Sequence, residues 1–131
     1  MKTCQIVKRK EGQSLVEFAL ILPILLLIIV AVIDFGWIFY AKLTVNNSTR
    51  EVARLYVVDE ERPLSDEAAL AQARMPDLFK GTAYAQISIG GTPAEIRVTL
   101  GGNVKPLVGL FFDGDVPVES TTYMKVEYQY P

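Results

Sequence analysis

Residues 18–33 form an apolar run of 16 residues without a charged side chain, in a chain of 131 residues. The apolar character continues to Tyr40 with a single charge, Asp34, so 23 residues are available for one helix. At about 1.5 Å per residue this helix is about 35 Å long, enough for a hydrocarbon layer of ~30 Å. Because so short a chain cannot cover a helix that is apolar on all faces, the run predicts a membrane span and not the buried helix of a soluble bundle.

The far end of the apolar run is rich in aromatic side chains, at Phe35, Trp37, Phe39 and Tyr40. Because amphipathic aromatic rings prefer the membrane–water interface, these residues predict the outer boundary of the span. Asp34 lies beside them and is predicted to be either a boundary residue that reaches the interface or a contact between subunits. Trp37 and Tyr40 belong to the same predicted interface.

The charges are unevenly distributed along the chain. Residues 1–12 hold four basic side chains and one acidic one, a net charge of +3, so the total of −2 leaves −5 for the remaining residues. A basic flank before an apolar helix predicts a cytoplasmic N-terminus and places the rest of the chain on the other side of the membrane. The acidic remainder has no electrostatic footprint for nucleic acid.

A secretory signal peptide is the alternative for this N-terminus, and two features oppose it. Such a signal has an apolar core of about 7–15 residues and then a small-residue cleavage site, whereas this run continues further and lacks an A-x-A pattern. Glu17 also interrupts the start of the run. Cys4, the single cysteine, precedes the run, which argues against a lipoprotein and excludes an intramolecular disulfide.

The helix is predicted to continue beyond the membrane as a stalk. Residues 42–58 contain neither Gly nor Pro, and a stripe with spacings of 4, 3 and 4 predicts one buried helix face. The stripe consists of Val45, Thr49, Val52 and Tyr56. Arg50, Glu51 and Arg54 lie off the stripe and are predicted to form either a solvated face or a docking site. Pro23, in the first half of the helix, predicts a bend or a local loosening.

Residues 59–131 are predicted to form one small α+β domain outside the cytoplasm. Ser65 is the predicted N-cap of a short helix that ends by Pro76. The predicted fold class is therefore α+β: a long transmembrane and stalk helix, then a small domain of one helix and a three-stranded antiparallel sheet.

Alternating apolar and polar residues predict the three strands of this domain. They cover residues 84–89, 95–100 and 118–130. Gly101-Gly102 is predicted to end the second strand, since paired glycines are typical of turns. Residues 106–112 are apolar without a clear period, which predicts a loop packed on the sheet.

The residue types of most catalytic and metal sites are scarce. The chain has no histidine and one cysteine, which excludes His-based triads, His ligands and paired thiolate ligands. Glu17 and Asp34 are 17 positions apart, about 25 Å along a helix and too far for a paired acid–base device. Residues 113–115 (Asp-Gly-Asp) are too short a ligand series for an EF-type calcium loop. We predict no enzymatic activity, no cofactor and no metal site.

Gly12, Glu17 and the apolar run form a pattern with its own chemistry. A glycine lets an extended backbone enter a protease without a side chain in the way. A charged Glu17 in an apolar helix is costly unless it is paired or at the interface, and an amine, its own or a neighbouring subunit's, is the natural partner. Pairing between subunits would set their axial stagger. The alternative is a Glu17 that only lies among lipid headgroups.

This arrangement resembles the class III signal sequences of type IV pilins and pseudopilins. The resemblance implies that a membrane-embedded aspartate protease, prepilin peptidase, cuts between Gly12 and Gln13. Gln13 then becomes the first residue of the mature chain and Glu17 the fifth, which is the family's acidic assembly position, followed by Phe18. Gln13 departs from the pattern, since many pilins begin with Phe.

A narrower resemblance extends along the helix and, more loosely, into the tail. Residues 12–20 with Leu22-Pro23, and residues 33–36, look like the TadE-like family of the tight-adherence (Tad) pilus system. Residues 46–54 are similar to that family's Asn/Ala-rich, Arg-Glu-x-Ala-Arg segment. Residues 106–111 and 120–127 also fit it.

The resemblance implies a minor pilin or pseudopilin precursor. Its predicted segments are a leader (residues 1–12), a transmembrane and stalk helix (13–58) and an extracytoplasmic domain (59–131). The implied partners are prepilin peptidase, other pilin or pseudopilin subunits, an inner-membrane assembly platform and the membrane. The implied location is the bacterial inner membrane, as a single-pass protein, with the extracellular pilus as a second location. The alternative is an uncleaved single-pass structural component of a secretion or pilus assembly apparatus.

Overall fold

The computed structural model describes residues 4–126, except residues 60, 62, 74–78, 80 and 92, and for residues 4–11 it describes the backbone alone. The described part forms α1 (Cys4–Val58), α2 (Asp66–Gln72), β1 (Tyr84–Gly90), β2 (Glu95–Val104) and β3 (Val116–Lys125). The strands form one antiparallel sheet in the order β1-β2-β3. This confirms the predicted α+β fold of a long N-terminal helix followed by a small domain with a helix and a three-stranded antiparallel sheet.

α1 is a single helix of 55 residues, about 80 Å long at 1.5 Å per residue. Pro23 lies inside the helix and does not end it, although its ring removes one backbone donor. The backbone of residues 4–11 continues the helix into the predicted leader. Helix Gly12–Val58 is long and apolar enough to cross a membrane, and no part of its most apolar window is buried by the rest of the chain.

The second half of α1 packs against the sheet along the predicted stripe. All four stripe residues, Val45, Thr49, Val52 and Tyr56, have no exposed surface, and Ala41 and Ala53 are buried beside them. The buried hydroxyl of Thr49 donates a hydrogen bond to the carbonyl of Val45 at 2.7 Å, which satisfies its polar group. Burial of a large apolar side chain contributes about 1.5–3 kcal/mol, so this stripe is a major part of the domain's core.

The inner face of the sheet supplies the other side of that core. Ile96, Val98 and Leu100 of β2 are fully buried. α1 lies against β2 and β3, whereas α2 lies against β1. The sheet therefore has α1 along its central and third strands, and one core joins the stalk to the domain.

The prediction that Gly101-Gly102 ends the second strand is wrong, because β2 continues through both glycines to Val104. The glycines make room for two aromatic rings. A Cβ on Gly101 would lie 2.6 Å from the ring carbon Cζ of Tyr84, and a Cβ on Gly102 would lie 2.5 Å from Cδ1 of Phe79. Glycine here permits close packing across a strand, a use that sequence alone does not distinguish from a turn.

The start of α2 follows the prediction. The Oγ of Ser65 accepts a hydrogen bond from the backbone N–H of Ala68 at 3.2 Å and caps the helix. The carboxylate of Asp66 accepts one from the backbone N–H of Ile87 at 2.8 Å, which ties the helix to β1. Pro76, the predicted end of this helix, lies outside the described residues, as do residues 127–130 of the predicted third strand. β3 begins at Val116, two residues earlier than predicted, and ends at Lys125, so that Val126 is not part of it.

Candidate functional site

Asp34 is a fully buried carboxylate on the domain-facing side of α1, seven residues before Ala41. Its Oδ1 accepts a hydrogen bond from the backbone N–H of Val108 at 2.7 Å, and its Oδ2 accepts one from that of Gly109 at 3.1 Å. Hydrogen bonds to an ionised acceptor are stronger than neutral ones. Asp34 therefore fixes two successive peptide groups in the loop between β2 and β3.

Gly109 has the backbone conformation that this contact requires. Its φ is +73°, in the left-handed region that glycine occupies without a steric penalty. The chain thereby turns two consecutive N–H groups toward one side chain, as a concave anion-binding turn does.

Two further contacts hold the same loop against α1. The indole N–H of Trp37 donates a hydrogen bond to the carbonyl of Lys105 at 3.2 Å. The rings of Phe35 and Phe112 meet edge to face, with centroids 5.4 Å apart. The loop is thus attached near its start, middle and end. We call residues 106–112 the apolar loop.

The predicted loop is confirmed as irregular backbone, and these contacts hold it against α1. The physical reason is Asp34, which offers the loop two strong acceptors. For Asp34 the prediction named the interface or another subunit, and the structure adds a partner within the chain. No local pattern signals this contact, because 74 residues separate Asp34 from Val108.

We call the contacts of Phe35, Asp34 and Trp37 with the apolar loop the junction. Beyond the junction, polar contacts connect the stalk part of α1 to β3. Lys42 Nζ donates a hydrogen bond to the carbonyl of Glu119. The hydroxyl of Ser120 donates to Oδ1 of Asn46 at 3.0 Å, and its carbonyl lies 3.5 Å from Oγ1 of Thr49. β3 is therefore bonded to α1 over about two turns.

The predicted processing and assembly residues lie at the opposite end of the apolar surface. Gly12, Gln13, Glu17 and Phe18 are all helical and exposed. The amide of Gln13 donates a hydrogen bond to Oε1 of Glu17 at 3.3 Å, one helical turn away. A Cβ on Gly12 would meet nothing within 4 Å. The structure does not bring this end together with Asp34.

The other predicted interface residues fall in two places. Tyr40 is half exposed, and its ring centroid lies 6.2 Å from that of Trp37, beside the junction. Arg50 and Arg54 are exposed on the stalk. Within the described ranges, no three acidic or cysteine side chains lie close enough to hold a metal ion.

The matching family model covers the part of α1 that carries most of these features. The model described as TadE-like protein matches residues 12–54. The match begins at Gly12, includes Glu17 and Asp34, and ends at Arg54. No curated protein and no solved structure is significantly similar to the chain. Residues 12–54 are thus similar to the TadE-like family, in agreement with the resemblance predicted for the long helix.

Proposed function

We propose that this chain is the precursor of a minor pilin or pseudopilin of a Tad-type pilus. The observation that carries the proposal is the position of Gly12 and Glu17 at the start of an exposed apolar helix, within the segment that matches the TadE-like family. In this role the chain is structural and catalyses no reaction. Its helix is first a single-pass membrane anchor and then part of a helical filament core.

Processing would occur between Gly12 and Gln13. Both residues lie in a continuous helix, whereas a protease needs an extended backbone, so the bond becomes available only when this turn opens. Glycine helps, because it is about 1 kcal/mol less favourable than alanine inside a helix. Hydrolysis would leave a new amine on Gln13, one turn from the carboxylate of Glu17.

Assembly would use that amine and Glu17. The Glu17 side chain is exposed and its described hydrogen bond is to Gln13, a neutral amide. When lipid is replaced by neighbouring helices, an ionised Glu17 requires a cation, and the amine of an adjacent subunit is the proposed partner. Only one stagger of two helices brings these groups together.

The proposed orientation follows the basic leader. Its net charge of +3 favours a cytoplasmic N-terminus and a domain on the outer side of the inner membrane. The proposed partners are prepilin peptidase, other pilin or pseudopilin subunits and the inner-membrane assembly platform.

The substitution Glu17→Ala tests this assembly role. We expect normal membrane insertion and normal removal of the leader, but a loss of most pili sheared from the cells. Glu67→Ala is the matched control, because Glu67 is an exposed glutamate in α2, outside the apolar run and outside the segment that matches the family. Wild-type piliation in cells that carry Glu17→Ala would refute the assembly role.

A further inference from the structure

The apolar loop exposes four of its large hydrophobic side chains. Leu107 is 59% exposed, Val108 50%, Leu110 62% and Phe111 44%. The loop backbone nonetheless has a defined anchor on α1, since Asp34 accepts hydrogen bonds from Val108 and Gly109. Held in this way, the loop keeps four large apolar side chains exposed within five residues. Exposed apolar side chains that cluster in this way indicate an interaction surface.

This exposed surface is continuous with the apolar surface of α1. Phe112, at the end of the loop, contacts Phe35, which is itself 58% exposed. Phe39, one turn further along α1, is 64% exposed. The loop therefore extends sideways the same surface that the helix presents to lipid.

The axial position of Asp34 gives the depth of the loop. When Glu17 lies at the inner interface, a hydrocarbon layer of ~30 Å ends about 20 residues further on, near Trp37. Asp34 comes three residues before that boundary and is thus at the level of the outer leaflet. The loop peptide groups that bind Asp34 are at the same level.

The hydrogen bonds explain how these groups tolerate that level. Lipid-exposed irregular backbone does not occur in the hydrocarbon region, whereas at its boundary with the headgroups water can reach the polar groups that the protein leaves unsatisfied. Here Asp34 satisfies two loop N–H groups, and the loop in turn covers the carboxylate, which has no exposed surface. The carboxylate and the two N–H groups thus satisfy each other, which lowers the cost of placing them near lipid.

Polar residues flank the apolar loop on both sides. Lys105 precedes it, and Asp113 and Asp115 follow it, all exposed. The Trp37 indole bonds the carbonyl of Lys105, so the interfacial aromatic side chain lies at a polar end of the loop. An apolar tip between charged ends fits the boundary between acyl chains and headgroups.

We infer that the apolar loop inserts into the outer leaflet of the bilayer that α1 spans, and that Asp34 is the positioning residue that holds it there. The inference rests on the proposed membrane span. Lipid is favoured over a protein partner because the loop surface continues the exposed surface of the span. The domain then touches the membrane at two places, the helix and the loop.

The test uses the full chain with Cys4→Ser and single cysteines that carry an environment-sensitive fluorophore. Leu110→Cys reports on the loop, Leu25→Cys on the span and Ser88→Cys on the exposed face of β1. Each protein is reconstituted into phosphatidylethanolamine–phosphatidylglycerol vesicles that contain lipid with a nitroxide near the top of the acyl chain. Parallel vesicles contain lipid with a nitroxide near the end of the chain, which is the quencher for the Leu25 label, because Leu25 lies about 12 Å from the inner interface. We expect quenching of the Leu110 label at least about twofold stronger than that of the Ser88 label.

The outcomes separate the loop from the anchor. Equal quenching at Leu110 and Ser88, with the Leu25 label quenched, overturns loop insertion and leaves the membrane span intact. An unquenched Leu25 label overturns both. A Leu110 label that is shielded from lipid and also from a water-soluble quencher shows burial against protein and overturns the inference.

The role of Asp34 has its own variant. In the Leu110→Cys protein, Asp34→Ala is expected to remove most of the difference in quenching from Ser88, whereas Asp34→Asn keeps one acceptor and part of the effect. In a parallel Leu25→Cys series with Asp34, Asp34→Ala or Asp34→Asn, the label should be quenched equally, which verifies insertion of all three proteins. Unchanged quenching at Leu110 in Asp34→Ala would show that Asp34 does not position the loop.

Discussion

At the scale of single residues, Asp34 determines how the domain meets the helix. A carboxylate at this position of an apolar run is costly in isolation. In the folded chain it lies under the apolar loop with both oxygens bonded to backbone N–H groups. One side chain therefore serves as the partner for two peptide groups that no strand or helix satisfies.

Asp34→Ala should destabilise the domain. The substitution removes two hydrogen bonds to a charged acceptor and leaves the N–H groups of Val108 and Gly109 without that acceptor. We therefore expect the free energy of unfolding to fall by about 2–4 kcal/mol. Urea unfolding of the full chain in detergent, followed by the fluorescence of the single tryptophan, Trp37, measures the change. The exposed Asp113→Ala is the control, with an expected change within about 0.5 kcal/mol. Equal stability of both variants would contradict the anchoring role.

Tyr84 makes the domain sensitive to alkaline pH. Burial, the hydrogen bond that its hydroxyl donates to Glu119 at 3.0 Å, and the negative charge of Glu119 raise the pKa of Tyr84 above its usual 10.0. Because the folded state favours the protonated hydroxyl, this stabilisation is complete below a pH of about 10 and is lost as pH rises through the higher folded pKa.

We expect Tyr84→Phe to lose less stability than the wild type as pH rises beyond the ordinary tyrosine pKa of about 10. Urea midpoints of both proteins on either side of that pH provide the measurement. Parallel alkaline losses in the two proteins would show that Tyr84 does not contribute to the pH dependence.

At the scale of elements, the sequence predicted the helices, strands and caps that are determined by residues close together in the chain. The apolar run, the stripe from Val45 to Tyr56 and the three alternating strands all appear at the predicted places, since burial on one face leaves a regular period. The bounds of β2 and β3 differ from the predicted ones. The Ser65 cap was predicted for the same reason, because its partner is three residues away. The contact of Asp34 with the loop and the length of β2 were not predicted, because their partners are distant in sequence.

The paired glycines of β2 provide a test of a contact between residues that are distant in sequence. Gly102→Ala places a Cβ 2.5 Å from Cδ1 and 3.0 Å from Cγ of the buried Phe79, which cannot move without disturbing the core. We expect a loss of about 1–3 kcal/mol in the free energy of unfolding. Gly101→Ala is the matched variant, because it meets only the outer end of the half-exposed Tyr84 ring. A larger loss for Gly101→Ala would refute this account of the paired glycines.

At the scale of the whole molecule, the domain and the membrane span overlap along α1. Contacts to the domain begin at Asp34, whereas the predicted span continues to Tyr40. α1 is continuous from Gly12 to Val58, and β3 is bonded to it along the stalk. Under the proposed function, helix and domain would therefore leave the membrane as one unit when the subunit joins a filament.

The cleavage proposed for this molecule makes a direct prediction about its covalent structure. In cells with active prepilin peptidase, Gly12→Val should retain the leader, since a β-branched side chain replaces the glycine at the cut. Gly36→Val is the matched control: Gly36 is also a helical glycine with open space around it, and this variant should be processed normally.

The intact mass of the wild-type chain, extracted from membranes of such cells, tests the central claim most directly. The proposed function predicts a mature chain that begins at Gln13, with residues 1–12 removed. A wild-type chain that still begins at Met1 while the peptidase is active would contradict it, and would indicate an uncleaved single-pass component of the assembly apparatus.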